Sequence, residues 1–140
     1  MIASLQGKLE AIYTGFVVIN VNGIGYQVFV PVRTLAELGG AGSEVKLYTH
    51  LHVREDNLSL YGFATPEELR LFETLLTVSG IGPKLGLALL STMSAEQTIM
   101  AIASGDADLL RGVPGIGKKT AERIVLELKD KIGTELLAVP

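Results

Sequence analysis

The chain has 140 residues, enough for one ordinary domain or two small ones, and 48% of them are hydrophobic. With 19% charged residues, no cysteine and a formal net charge of −3, it is neither a disordered chain, a disulfide scaffold nor a thiolate metal site, and it lacks the overall basic charge usual for nucleic-acid binding. The longest apolar runs, "FVVINV" and "LGLALL", are too short to span a membrane, and "MIASLQGKLE" shows no basic region followed by an apolar block, so a cytoplasmic location is expected.

Residues 1–64 read as strands. "KLEAIYTG" ends in a turn, and "FVVINV" meets "YQVFV" across "NGIG", where Asn22-Gly23 is a strong hairpin signal. Pro31 stops that strand. "RTLAEL" has room for one or two helical turns, ended by Gly39, Gly40 and Gly42. "EVKLYTHLHV" alternates, "REDN" turns the chain and "LSLYGF" returns. Five short strands with one small helix between the third and fourth predict a closed or nearly closed OB-type barrel.

At Thr65 the pattern changes. Thr65 suits an N-cap, Pro66 the first helical position, and Glu68 the acidic place of a capping box. Leu69, Phe72, Leu75 and Leu76 form one apolar stripe at helical spacing. Ser94 and Gln97 repeat the capping-box pattern, and Asp106 caps another short helix. Residues 65–140 are predicted to be all helix, which makes the chain a two-domain α+β protein.

The helical half also repeats. "LLTVSGIGPKLGLALL" aligns with "LLRGVPGIGKKTAERIV" at an offset of 35, pairing Val78 with Val113, Gly80 with Gly115, Ile81 with Ile116, Gly82 with Gly117 and Lys84 with Lys119. Each unit reads helix, tight turn, helix. At least one glycine of each turn is expected at positive φ, and neither has a Cβ to block a ligand. Ile81 and Ile116 should point inward. The glycine amides and the next helix's N-terminus are then left to solvent beside lysines, a geometry that suits a phosphate. A single Gly-rich turn is often only a helix C-cap, but two copies sharing a lysine weigh against that reading.

Nucleotide sites fit less well. Gly112 to Lys118 spells G-x-x-x-x-G-K, yet Lys119 stands where a Ser or Thr would hold magnesium, and no strand precedes the turn. "GIGPKL" does not continue to the third glycine of a dinucleotide fingerprint. The pattern resembles the helix-hairpin-helix motif of DNA-binding proteins, in which two adjacent hairpins would hold both strands of a duplex across the minor groove. The expected anion is therefore a DNA phosphate. Lys84, Lys118, Lys119 and Arg123 would then form a basic patch on an acidic molecule.

"VREDN", residues 53–57, puts Glu55 and Asp56 at the tip of the last hairpin of the barrel. On its own this reads as a solvated polar turn. A metal site made from these carboxylates with His50 and His52 is disfavoured by their spacing along the strand.

The combination of "HVREDNLSLYGF", "SGIGPKLGLALLSTMS" and "PGIGKKTAERIVLELKDK" resembles the RuvA family, the junction-recognition subunits of the bacterial branch-migration machine, across essentially all 140 residues. That resemblance implies a non-catalytic subunit of an ATP-dependent helicase that binds four-way (Holliday) junction DNA in recombination and repair, with no cofactor and no metal. It implies a homotetramer, sometimes paired into an octamer, with the barrel serving oligomerisation. It further implies phosphate contacts from Lys84, Lys118, Lys119, Thr120 and Arg123 and from the backbone at Gly80, Gly82, Gly115 and Gly117. Glu55 and Asp56 match the family's acidic pin near the junction centre. Family partners are the RuvB ATPase and the RuvC resolvase. A C-terminal domain that docks RuvB follows this region in the family, whereas this sequence stops at "GTELLAVP", so RuvB docking is expected to be lost. Ser79, where the second hairpin has Pro114, suggests unequal grips.

Two other readings compete. A helix-hairpin-helix glycosylase or nuclease would need a pocket or clustered carboxylates, and Glu127 and Asp130 read instead as a solvated face with Lys129 and Lys131. An OB-type single-strand binder would need exposed aromatics, yet most of the 6% aromatic residues fall at positions that read as buried.

Overall fold

The computed structural model describes residues 1–132, and "GTELLAVP", the end of the expected helical half, lies outside the described residues. Alternation of apolar and polar residues produces β1 (Ser4–Ile12), β2 (Phe16–Val21), β3 (Ile24–Phe29), β4 (Glu44–Val53) and β5 (Leu58–Phe63). They close into a barrel in the order β1-β2-β3-β5-β4. All neighbours are antiparallel except β3 and β5, which run parallel with Val28 opposite Leu60 and Phe29 opposite Tyr61. Helix α1 (Val32–Glu37) connects β3 to β4. This is the OB arrangement expected from the sequence. Leu5, Leu9, Val17, Ile19, Val28 and Leu47 fill the interior.

Two local details differ from the sequence reading. The hairpin loop is the pair Asn22-Gly23 alone, both at positive φ (52° and 92°), because Val21 already pairs with Ile24. The twist of such a turn matches the strands it joins, and the Gly23 N–H donates to Asn20 Oδ1 at 2.9 Å. Strand β1 also begins four residues before "KLEAIYTG". Ser4 to Lys8 pair with β4, Lys8 to Ile12 pair with β2, and the register shifts between Leu9 and Ala11. The irregularity bends one strand so that it serves two neighbours, which is how the barrel closes.

Helices α2 (Pro66–Leu75), α3 (Pro83–Thr92), α4 (Ala95–Ala103), α5 (Ala107–Arg111) and α6 (Lys118–Lys131) follow. The chain divides into two compact units, Met1–Leu69 and one that begins at Arg70. Among the described residues no single helix is long and apolar enough to cross a membrane. The caps are local and chemical. The Gln97 N–H donates to Ser94 Oγ at 3.0 Å while the Ser94 N–H donates to Gln97 Oε1 at 2.9 Å, and the Leu109 N–H donates to Asp106 Oδ1 at 3.1 Å. Each cap stabilises its helix by about 1 kcal/mol. The buried side of α2 is Leu71, Phe72, Thr74 and Leu75, while Leu69 and Leu76 are only half-buried. The expected stripe was thus rotated.

At the start of α2 the capping box is altered. Thr65 Oγ1 accepts from the Glu68 N–H and its hydroxyl donates to Glu68 Oε1, both at 3.2 Å. Burial, with added repulsion from Glu37 and Glu67, raises the Glu68 carboxyl above its ordinary value, although the Thr65 hydroxyl and Arg33 oppose the shift. A raised folded value means that this group favours folding when protonated, and that the contribution is lost as pH rises through that value. Glu68→Gln should therefore melt at an equal or higher temperature at pH 7 and show a flatter stability profile between pH 4 and 7. A lower melting temperature at pH 7 would contradict this.

Candidate nucleic-acid interface

The duplicated segments fold to the same backbone. Gly80 and Gly115 take φ of 90° and 91°, a region closed to most residues. The Val78 N–H donates to Leu75 O at 3.0 Å and the Val113 N–H to Leu110 O at 3.2 Å. The Ile81 N–H then donates to Val78 O at 3.1 Å and the Ile116 N–H to Val113 O at 3.0 Å. Ile81 and Ile116 are buried, as their apolar character required, and each contributes about 1.5–3 kcal/mol of burial that pins its turn.

Gly82 and Gly117 are different. They are the N-caps of α3 and α6, with φ/ψ of −98°/179° and −89°/−178°, which any residue adopts. A Cβ added at either would meet nothing within 4 Å. Among the described residues nothing requires glycine there. The first helical bonds run from the Gly86 N–H to Gly82 O and from the Ala121 N–H to Gly117 O, each at 3.0 Å, so the amides before them have no acceptor within their own helix. Neither helix start has a side-chain cap or an acidic residue in its first turn. The positive ends of both dipoles are therefore left uncompensated.

Around these turns Lys84, Lys118, Lys119 and Arg123 are exposed and Thr120 is half-buried. The turns also touch each other's helices. Arg123 of α6 donates from Nη1 to Ser79 O, before Gly80, at 3.1 Å. In return, Leu85 of α3 lies against the second turn, its Cδ1 3.0 Å from where a Cβ on Gly115 would sit. All nine residues expected to face phosphate thus lie on, or directly beside, two adjoining turns. Sequence reasoning missed Ser79 and Leu85 as the cross-contacts, because the repeat offset carries no information about which helix crosses which turn.

Glu55 and Asp56 lie elsewhere, exposed at the turn between β4 and β5. The Arg54 N–H donates to Asn57 O at 2.8 Å and closes that turn. His50 and His52 stand on β4 with ring centroids 6.0 Å apart. The His52 imidazole is held below its ordinary value by burial, then by His50 and Arg54. Among the described residues no three His, Cys, Asp or Glu side chains are grouped to hold a metal ion.

The aromatics do not match the sequence expectation. Among the described residues only Phe63 and Phe72 of the aromatics are buried. Tyr13 stacks on Phe16 at 4.8 Å, Phe16 meets Phe29 at 5.8 Å, Phe29 meets Tyr61 at 5.6 Å, and Tyr61 meets His52 at 6.4 Å. The result is a partly exposed band that crosses β2, β3, β5 and β4. Its rings pack on one another, because same-face neighbours on adjacent strands come within reach of long side chains.

An OB-type barrel followed by a tandem helix-hairpin-helix unit defines the class of the protein. Residues 1–62 match the RuvA N terminal domain family, and residues 72–130 match the SAM-like helix-hairpin-helix tandem family. A protein of Dehalococcoides mccartyi named "Holliday junction branch migration complex subunit RuvA" is 62% identical over 132 residues, covering 94% of this chain and 68% of its own length. Proteins of the same name from Caldanaerobacter subterraneus subsp. tengcongensis and Herpetosiphon aurantiacus are 51% and 53% identical, covering 98% and 99% of this chain and 73% and 70% of their own lengths. The chain belongs to the RuvA family.

Proposed function

We propose that this chain is the non-catalytic junction-recognition subunit of a branch-migration complex, and that it binds four-way (Holliday) junction DNA by shape and without reading sequence. The observation that carries the proposal is the pair of backbone-identical turns with open helix N-termini at Gly82 and Gly117. Oriented amides and flanking ammonium groups take phosphate oxygens, and such contacts position a protein but carry no base information. The relatives' shared name supports the junction as the substrate, and none of the three carries the name of a glycosylase or nuclease.

In this reading the helical unit (65–140 in the sequence division) grips duplex arms, and the barrel (1–64) serves assembly and carries the acidic tip. Glu55 and Asp56 repel phosphates at the crossover, so attraction acts on the arms and repulsion at the centre. That division of charge accommodates a net charge of −3. A homotetramer would place four such tips around one junction and a pair of tetramers eight, with the RuvB ATPase supplying the motor and the RuvC resolvase acting on the same substrate.

Gel-shift titrations with four-way, linear and single-stranded DNA of matched length test the proposal. The four-way form should bind tightest, and every affinity should fall steeply with salt as counterions are released. The double change Glu55→Gln, Asp56→Asn should tighten linear-duplex binding and narrow the preference for the four-way form. Equal binding of linear and four-way DNA by the unaltered chain would overturn junction recognition. Cleavage or base release from a labelled junction in magnesium would favour the repair-enzyme reading.

A further inference from the structure

The two turns share a backbone but not a chemistry. Pro83 occupies the first position of α3 where Lys118 occupies the first position of α6. Proline has no N–H, so the first hairpin presents one amide and one ammonium fewer than the second. Arg123 lies beside this poorer turn. Its Nη1 holds Ser79 O at 3.1 Å and is 3.4 Å from where a Cβ on Gly80 would sit.

The repeat shows that the arginine is not needed to build its own hairpin. At the offset of 35 its counterpart is Ala88, so the first hairpin reaches the same torsion with no arginine at the equivalent place on the helix that follows it. We infer that Arg123, although it follows the second hairpin in sequence, belongs to the phosphate site of the first. Helix α6 carries it across to the first turn, where it covers the negative end of the Ser79 carbonyl and replaces the cation that Pro83 leaves out. A guanidinium has five N–H donors, and one is used on Ser79. The others remain for an anion bound at the Gly80–Lys84 turn. Each hairpin then has two cations, Lys84 with Arg123 and Lys118 with Lys119.

This inference rests on the reading that both turns receive phosphates, and double-mutant cycles in the full chain separate the two claims. Arg123→Ala, Lys84→Ala and Lys119→Ala are each expected to weaken junction binding by about tenfold, as for loss of a hydrogen bond to a charged group. Combining Arg123→Ala with Lys84→Ala should cost well under the product of the single effects, because the two share one phosphate. Combining Arg123→Ala with Lys119→Ala should approach the product, about a hundredfold. Arg123→Ala should also lower the slope of log affinity against log salt by about one, which a purely structural link would leave unchanged. Arg123 is exposed, so unaltered thermal melting of the variant is the folding control. Coupling to Lys119 in place of Lys84, or an unchanged salt slope, would overturn the assignment of Arg123 alone. Unchanged binding in both the Lys84 and the Lys119 variants would overturn the phosphate reading of the turns, and the assignment with it.

Discussion

Replacing Lys118 and Lys119 together by glutamate is expected to abolish binding to four-way and linear DNA alike while leaving the protein at least as stable as before. Both side chains are exposed at the first two positions of α6. Carboxylates there face the positive end of the helix dipole and stabilise the helix by about 0.3–1 kcal/mol each. The same carboxylates meet phosphates with the wrong sign. Two lost contacts remove about two from the salt slope, and repulsion adds to the loss, so affinity should fall by more than about a hundredfold. Binding and melting temperature are thus expected to move in opposite directions. Gel shift and thermal melting on one preparation measure both, and retained junction affinity would show that the second turn is not a phosphate site.

The two glycines of the second turn should fail differently when given the same methyl group. Gly115→Ala must hold a Cβ at φ 91°, 3.0 Å from Leu85 Cδ1. A residue forced into that region costs about 1–3 kcal/mol, and each kilocalorie lowers the melting temperature of a unit this small by about 4–8 °C. Gly117→Ala meets no strain, since φ −89° and ψ −178° are open to alanine and no atom lies within 4 Å of the new carbon. Its stability cost should stay below about 1 kcal/mol, the loss of a mediocre N-cap. Yet the methyl stands over the amides that a phosphate must approach, so DNA affinity should fall by about tenfold. If Gly117→Ala instead melted as early as Gly115→Ala and bound DNA normally, glycine at 117 would have a structural cause and the argument from open space would fail.

What could be read beforehand was whatever depends on neighbours in the chain. Asn22-Gly23 marked its hairpin, Ser94 with Gln97 marked a capping box, and the register of Gly80 with Gly115 foretold two turns of one shape. Features set by distant partners stayed hidden. The polar "SLQG" start of β1 becomes strand only because β4 lies alongside it. The buried face of α2 turns toward Leu71 because packing, and not spacing alone, selects among adjacent leucines. The aromatic band depends on strand order across the barrel, which no short window contains. Arg123 reaches a carbonyl 44 residues earlier in the chain, so its local sequence pointed to the hairpin it follows and not to the one it touches.

The hydrogen bonds that the two turns have in common use main-chain atoms alone, from the Val78 and Ile81 amides in one copy and the Val113 and Ile116 amides in the other. Side chains at the intervening places, Ser79 against Pro114 and Pro83 against Lys118, are therefore released from any architectural duty. After an ancestral duplication, either copy can drift at these places and retune the donors it presents to an anion while its twin keeps the inherited form. A symmetric scaffold of this kind can evolve an asymmetric hand.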